Sequence, residues 1–188
     1  MNTDISPRDL QGVSRSNSCI NWSSHWHIRQ STLDDSESLR SYFNAMSRTN
    51  HRLRFQCSME SVHESILSLY DREKHRSNRG FIVYSDQHPE QICGEALLAC
   101  NQDGYEAEIA LSVSERCQQQ GLGNALMTQL IATASELGIW QLCADTLRAN
   151  HKFVALAESR GFERTNHPDD WRQIRFVLSV RDEPVLPH

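Results

Sequence analysis

Apolar positions recur along this chain with two different periods. Stretches that alternate apolar and polar residues predict β-strands, and stretches with apolar residues every three or four positions predict amphipathic helices. Strands are predicted at 25–29, 80–84, 92–100, 105–113, 139–145 and 173–180, and helices from Thr32, over 58–75, over 121–137 and over 150–160. Hairpins precede Val113 and a strand–helix–strand unit follows it. The expected fold is therefore a central mixed β-sheet flanked by helices, of α/β or α+β type.

The periodic pattern is confined to one stretch between two polar flanks. Residues 1–24 are rich in Ser and Asn, and we expect a loosely ordered N-terminal arm or an edge segment there. Residues 181–188 contain Pro184 and Pro187 and are expected to form an exposed tail. Residues 25–180 are then a single domain, and the chain of 188 residues is long enough to bury a sizeable core.

Composition excludes several classes of protein. The net charge of -5 and the lack of a basic patch argue against nucleic-acid binding. No apolar stretch approaches the roughly 18 residues of a membrane span, and no signal peptide is visible, so a cytoplasmic location is expected. The six cysteines form no C-x-x-C pair, which favours reduced thiols over disulfides or a zinc site.

The most informative segment joins a strand to a long helix through two glycines. The strand ends near Val113, Gly121 and Gly123 follow, and the amphipathic helix begins at once. Glycines permit close approach of the backbone, and the first N–H groups of a helix favour an anion such as a pyrophosphate. A Gly-x-Gly turn that only caps a helix is common. A Rossmann loop is excluded because Leu126 occupies its third glycine position, and no Lys-Ser/Thr follows as in a P-loop.

The segment Gln118-Gln119-Gln120-Gly121-Leu122-Gly123 resembles the signature Gln/Arg-x-x-Gly-x-Gly/Ala of the GNAT family of N-acetyltransferases. The strand 108–113 before it and the helix that runs from Asn150 to Gly161-Phe162 also match the family pattern. The resemblance covers 26–180 and is strongest over 108–162. The Met46-Ser47 and Arg54-Phe55 pairs are loosely similar to the acetyltransferase domains of bacterial protein-lysine acetyltransferases.

The resemblance implies that acetyl-coenzyme A is the co-substrate and that no metal is needed. In the family, the strand before the signature contacts the acetyl and pantetheine arm, the signature loop holds the pyrophosphate, and the later asparagine contacts the cofactor arm. The corresponding residues here are Leu111, Ser112 and Val113 for the arm, Gln118, Gln119, Gln120, Gly121, Leu122, Gly123 and Asn124 for the pyrophosphate, and Asn150 for the later contact.

The resemblance also implies direct attack of an amine on the thioester, which requires a base. Glu106 and Glu108 share the polar face of the strand that leads into the glycine loop. We assign the base to Glu108. Glu106 is better explained as part of a solvated face, and Glu95 is a further candidate for which the same explanation is preferred. The tyrosine that often protonates the leaving thiolate in the family is replaced by Ala157.

Other chemistry-bearing residues have simpler explanations. His25 and His27 lack a third metal ligand, and Cys117 has no local histidine partner, so neither is expected to form a site. The acceptor is open between a small amine and a protein lysine or N-terminus, and a homodimer is neither predicted nor excluded. Two other functions stay open: a non-catalytic acyl-CoA-binding sensor or interaction module, and an unrelated phosphate-binding domain.

Overall fold

A single eight-stranded sheet forms the centre of the molecule. The computed structural model describes residues 20–23, 26–57, 61–101 and 103–181. The strands are β1 (Ile20–Ser23), β2 (Trp26–Gln30), β3 (Arg79–Ser85), β4 (Gly94–Cys100), β5 (Glu106–Val113), β6 (Gln141–Leu147), β7 (Glu163–Asn166) and β8 (Gln173–Ser179). Their order across the sheet is β1-β2-β3-β4-β5-β6-β8-β7. Neighbours are antiparallel except for β5 and β6, which are parallel.

Helices cover both faces of this sheet. They are α1 (Ser36–Asn44), α2 (Arg48–Phe55), α3 (Glu64–Ser68), α4 (Leu122–Leu137) and α5 (His151–Ser159), with short 3-10 turns at Leu33–Asp35 and Glu115–Cys117. A mixed sheet flanked by helices is the fold expected from the pattern, and the prediction is confirmed. No helix among the described residues is long and apolar enough to cross a membrane.

The two faces of the sheet bury separate apolar clusters. On one face, Leu126 and Leu130 of α4 pack with Ile109 and Leu142 of the sheet, and α5 contributes to the same cluster through Ala157. On the other face, α1 and α3 pack against β3 and β4; the buried residues there include Phe43, Leu67, Ile82 and Leu97. Because β3 and β4 are covered on both sides, their sequences are almost continuously apolar.

Three parts of the chain differ from the expected elements. Of the helix expected over 58–75, residues 58–60 lie outside the described residues, and the remainder is α-helical only over the five-residue α3, because the polar run after Asp71 offers no apolar side chain to bury. Helix α2 was not predicted, since five of its eight residues, Arg48–Phe55, are Arg, His or Asn and its apolar stripe is weak. Strand β7 was also missed, because its four exposed residues show no alternation.

The expected flanks are described only in part. Residues 1–19 and 24 of the N-terminal arm and 182–188 of the tail lie outside the described residues, as does His25 of the expected first strand. The described part of the arm, Ile20–Ser23, is an edge strand that pairs with β2.

Candidate functional site

The two parallel strands at the centre of the sheet separate along their length. Glu106, Ala107 and Glu108 of β5 pair with consecutive residues of β6, and the pairing ends there. Strand β5 nevertheless continues to Val113 and β6 to Leu147. The two strands therefore leave a wedge between their carboxyl-terminal halves, and the backbone groups of β5 on that edge are not used by β6.

A cavity of about 290 Å³ begins in this part of the sheet and extends along the glycine loop. It is bounded by α2 on one side, by the end of β5 and the loop before α4 at its base, and by the start of α5 on the other side. The lining residues are Asn50, Leu53, Arg54, Leu111, Ser112, Val113, Cys117, Gln118, Gln119, Gly121, Leu122, Gly123, Asn124, Asn150, Lys152, Phe153 and Leu156.

The glycine loop presents backbone donors to this cavity. Gly121 is the N-cap of α4 with φ of 81°, and Gln119 also has a positive φ, of 62°. The first-turn N–H groups of a helix have no intrahelical acceptor, and in α4 no side chain caps them. A Cβ placed on Gly121 would meet no protein atom within 4 Å, and one on Gly123 would meet only Leu156, at 3.6 Å. Free N–H donors beside open space fit a pyrophosphate.

Ten of the eleven residues expected to hold the cofactor lie on this one cavity. The exception is Gln120, whose side chain is exposed and donates to the carbonyl oxygen of Arg116 at 3.4 Å. Asn150 lines the cavity, but its side chain is engaged within the protein. Its Oδ1 accepts from the N–H of Phe153 at 3.4 Å, and its Nδ2 donates to Thr146 Oγ1 at 3.0 Å. Asn150 therefore caps α5 and holds its first turn on the cavity.

Sequence reasoning missed one of the two helices that form the walls of the cavity, and for the other it did not show which residues face the cavity. Asn50, Leu53 and Arg54 come from α2, which the apolar pattern did not reveal. The available signal was Ser47, whose side chain caps α2 by accepting from the N–H of Asn50 at 3.2 Å. Lys152 was predicted to lie on a helix, but nothing in the pattern showed which way it faces.

Glu95 belongs to a buried network beneath the cavity. The side chain is fully buried, and its Oε1 accepts from Arg54 Nε at 2.8 Å. The hydroxyl groups of Tyr70 and Ser112 also donate to this carboxylate. Burial, followed by the charge of Glu95, raises the pKa of Tyr70 well above its ordinary value. The solvated face expected for Glu95 is therefore wrong: the side chain is buried, and with both carboxylate oxygens occupied it is better suited to holding α2 on the sheet than to removing a proton.

The same network reaches the end of β5 that lines the cavity. The Tyr42 hydroxyl lies 3.0 Å from Ser112 Oγ. Burial is the main cause that raises the pKa of Tyr42 well above its ordinary value, and the charge of Glu95 adds to it. The phenol therefore stays protonated at neutral pH and can donate to Ser112, whose own proton goes to Glu95.

Glu108 lies apart from the cavity lining and is exposed. It shares a face of β5 with Ser112, about 13 Å further back along the strand at about 3.3 Å per residue. Its parallel partner across the sheet is Cys143. Burial, and then the negative charge of Glu108, raises the pKa of Cys143 to about 11. A carboxylate is thus present where the wedge between β5 and β6 begins.

A second charged group lies on the same face, around Asp145 of β6. Arg175 donates to both carboxylate oxygens at 2.8 and 2.6 Å, and His167 Nε2 lies 3.3 Å from Oδ2. Gln56, at the end of α2, donates to the carbonyl oxygen of Asp145 at 2.7 Å. These contacts join α2, β6, β8 and the segment before β8. They are structural contacts that border the wedge.

The remaining sequence candidates take no part in a cluster. Position 157 is an alanine and therefore supplies no hydroxyl group, and its side chain is fully buried in the core. The side chain of His27 contacts Asp86. Cys117 is buried and borders the cavity. Burial of the Cys93 thiol, and then its hydrogen bond with Cys117, raises the pKa of Cys93 to about 12. Among the described residues no group of three or more His, Cys, Asp or Glu side chains is arranged to hold a metal ion.

Comparisons with known proteins agree with this geometry. Residues 40–162 match the acetyltransferase (GNAT) family. An acetyltransferase of Pseudomonas aeruginosa is 25% identical over 158 residues, which cover 83% of this chain and 84% of that protein.

Solved structures share the fold at lower identity. The GNAT domain of PAT from S. lividans superposes with a TM-score of 0.72 at 20% identity, covering 82% of this chain and 90% of that one. A spermidine N-acetyltransferase from Vibrio cholerae, solved with CoA and spermine, gives a TM-score of 0.65 at 18% identity, covering 84% and 96%. The family match spans well over half of the chain. This chain therefore belongs to the GNAT family and is an acetyltransferase.

Proposed function

We propose that this enzyme transfers an acetyl group from acetyl-CoA to a primary amine by direct attack. The observation that supports this most strongly is the continuity of the wedge between β5 and β6 with the glycine-loop cradle. The wedge is lined by backbone and apolar groups, and the cradle by N–H donors. This order suits a ligand with a long amide-containing arm at one end and a pyrophosphate at the other. When bound, acetyl-CoA supplies the activated acetyl group.

The edge of β5 supplies the contacts for the arm. Beyond Glu108, β5 pairs with β4 on one side and, within the part of the chain that the structure describes, with no strand on the other. Backbone N–H and C=O groups over 109–112 on that side remain available for strand-like hydrogen bonds. Amide groups of a pantetheine arm can satisfy them. Leu111, Ser112 and Val113 accordingly position the acetyl carbonyl in the wedge, largely through backbone atoms.

Glu108 is proposed as the group that takes the proton from the acceptor amine. A lysine-like amine has a pKa of about 10.4 and arrives protonated at neutral pH, yet only the free base attacks. Glu108 is exposed on the face of β5 that also carries Ser112, so a bridging water can connect it to an amine in the wedge. Glu106 lies two residues back on the same face, and the two negative charges favour a cationic acceptor.

The acceptor is proposed to be a small polyamine or a lysine side chain, both of which present a cationic primary amine. The relative from Vibrio cholerae was solved with spermine, which is consistent with the first class. A screen of polyamines, monoamines, aminoglycosides and lysine peptides separates the classes when thiol release from acetyl-CoA is recorded. We expect turnover with at least one amine, verified by mass spectrometry as a gain of one acetyl group on the acceptor.

The alternative function is a non-catalytic acyl-CoA-binding sensor. The observation in its favour is that Ala157 occupies the position of the tyrosine that often protonates the leaving thiolate in the family, so no hydroxyl group is present there. The two functions differ in one measurement. If acetyl-CoA binds by calorimetric titration while thiol release stays at background across the whole acceptor screen, the sensor is correct and the proposed transfer is wrong.

A further inference from the structure

The cavity is strongly biased toward anions although the protein as a whole is acidic. The chain carries 24 Asp and Glu residues and a net charge of -5. None of the residues that line the cavity is acidic, and two of them, Arg54 and Lys152, are cations. Arg54 is neutralised by Glu95 at 2.8 Å. Lys152 has no carboxylate within 4 Å among the described residues, so its charge is available to a ligand.

Contacts of Gln118 direct the Lys152 ammonium toward the glycine loop. The Gln118 side chain donates through Nε2 to the carbonyl oxygen of Val113 at 3.1 Å, and its Oε1 accepts from Lys152 Nζ. Val113 is the last residue of β5, and Gln118 is the first residue of the loop signature. The amide thus holds the ammonium across the cavity from α5, next to the backbone donors of the loop, through a neutral partner.

The position of Lys152 in its helix supports a role toward an anion. It lies in the first turn of α5, where the helix dipole is positive, and this turn contains no acidic residue. A cation there is unfavourable for the helix by itself, because anions are the groups that stabilise a helix N-terminus. The first turn of α4, which faces the same cavity, likewise contains no acidic residue. An anion between the two turns would interact favourably with both and with the ammonium.

We propose that Lys152 is a cofactor-binding residue whose ammonium pairs with the pyrophosphate of coenzyme A, positioned by the side chain of Gln118. This inference rests on the proposed function. Coenzyme A offers two phosphate sources, the pyrophosphate and the 3′-phosphate. We assign the pyrophosphate because Gln118 holds Nζ at the start of the loop whose backbone donors form the cradle. The pairing is a charge-assisted hydrogen bond at an exposed site, for which about a tenfold effect on affinity is expected.

Calorimetric titration of the full chain tests the assignment with three probes: CoA, 3′-dephospho-CoA and pantetheine. We expect Lys152→Met to weaken the binding of CoA and of 3′-dephospho-CoA by about tenfold each and to leave pantetheine binding unchanged. Lys152→Arg keeps the charge and should bind CoA within about threefold of wild type. The matched control is Lys74→Met, which removes the same charge from a side chain that is 61% exposed and outside the cavity. It should behave as wild type.

Salt dependence gives a readout that a structural role would not change. The dissociation constant of wild type for CoA should rise more steeply with NaCl concentration than that of Lys152→Met, because one phosphate contact has been removed. Equal CoA affinity in wild type and Lys152→Met overturns the inference, as does a loss that extends to pantetheine. A loss for CoA alone, with 3′-dephospho-CoA unchanged, shows that the contact is with the 3′-phosphate and also overturns it. If wild type itself binds no CoA, the proposed function fails.

Discussion

At the scale of single residues, the two carboxylates on the polar face of β5 differ in their surroundings. Glu108 is exposed at the point where β5 and β6 separate, and its charge raises the pKa of the neighbouring Cys143. Glu106 is less exposed and lies further from the wedge. Because they share a strand face and a side-chain type, each is a natural control for the other.

Replacing Glu108 by Gln keeps the shape of the side chain and removes its basicity. We expect kcat/KM for the best amine to fall by about 10²-fold or more, the usual contribution of a general base. Acetyl-CoA affinity should be unchanged, because the proposed cofactor contacts lie elsewhere. The control Glu106→Gln should keep a near-normal kcat, because Glu106 is not the base and its charge contributes only to attracting the cationic acceptor. Steady-state kinetics in which Glu108→Gln is as active as wild type would rule this residue out as the base.

Gly123 provides a cleaner test of the cradle than Gly121. Any L residue at Gly121 must adopt φ near 81°, which adds strain to whatever effect the side chain has on binding. Gly123 is not in the left-handed region, and its added Cβ has only Leu156 nearby, at 3.6 Å. We expect Gly123→Val to lose CoA affinity by more than about tenfold, with a smaller loss for Gly123→Ala. Thermal unfolding would show whether the fold is retained; unchanged affinity in a folded variant contradicts the cradle.

At the scale of elements, α2 is held on the sheet by the ion pair between Arg54 and Glu95. Replacing Glu95 by Gln leaves the buried Arg54 charge without its carboxylate, and we expect a loss of about 3–5 kcal/mol in the free energy of unfolding. Urea unfolding measures it. The control Glu90→Gln affects an exposed carboxylate and should change stability by less than about 0.5 kcal/mol. Equal stabilities would mean that the pair does not anchor α2.

The 3-10 turn that leads into α1 depends on Asp35, which accepts from Arg29 through both oxygens at 2.7 Å and from the N–H of Thr32 at 2.7 Å. Burial raises the pKa of Asp35, but the hydrogen bonds from Arg29 and Thr32 outweigh it and lower the pKa overall. The folded-state pKa is therefore below the unfolded value of about 3.9. The stabilisation is fully present above that value and is lost as the pH falls through the folded-state pKa.

Asp35→Asn should consequently be less stable than wild type by about 2 kcal/mol at pH 7, and the difference should shrink below about pH 4. Urea unfolding across this pH range measures both quantities. Asp34→Asn, which changes the exposed neighbour, serves as the control and should follow wild type at every pH. A difference between wild type and Asp35→Asn that stays constant down to pH 2 would contradict the assigned origin of the pKa shift.

At the scale of the whole molecule, cofactor binding and folding are linked, because the cavity is assembled from α2, β5, the glycine loop and α5. A ligand at 100 times its dissociation constant adds about 2.7 kcal/mol to the stability of the folded state. For a chain of this length we expect acetyl-CoA to raise Tm by about 5–10 °C. Gly123→Val should show little shift at the same concentration. If ATP or NAD gives an equal shift, the molecule is a general nucleotide binder instead.

Much of the fold could be predicted because its signals are local. The alternation in β5 and the three- to four-residue spacing in α4 each lie within one element, as does the glycine turn between them. Helix α2 could not be predicted, because its short polar sequence carries little apolar periodicity and its stability comes from distant contacts. Arg54 meets Glu95 across 41 positions of the chain, and Gln56 meets Asp145 across 89. The hydrophobic pattern of one short segment contains no information on contacts between residues so far apart in the chain.

The sequence by itself determined the strand–glycine loop–helix unit and, through it, the place of the proposed phosphate cradle, because backbone conformation there depends on which residues lack a Cβ. Only the tertiary structure decided the rest of the site. The wedge exists because β5 and β6 stop pairing after Glu108, and Glu95 serves the fold because α2 brings Arg54 against it. Lys152 faces the loop because α5 packs beside Gln118, 34 residues earlier in the chain. Each of these depends on how elements dock, a property of packing that no single segment encodes.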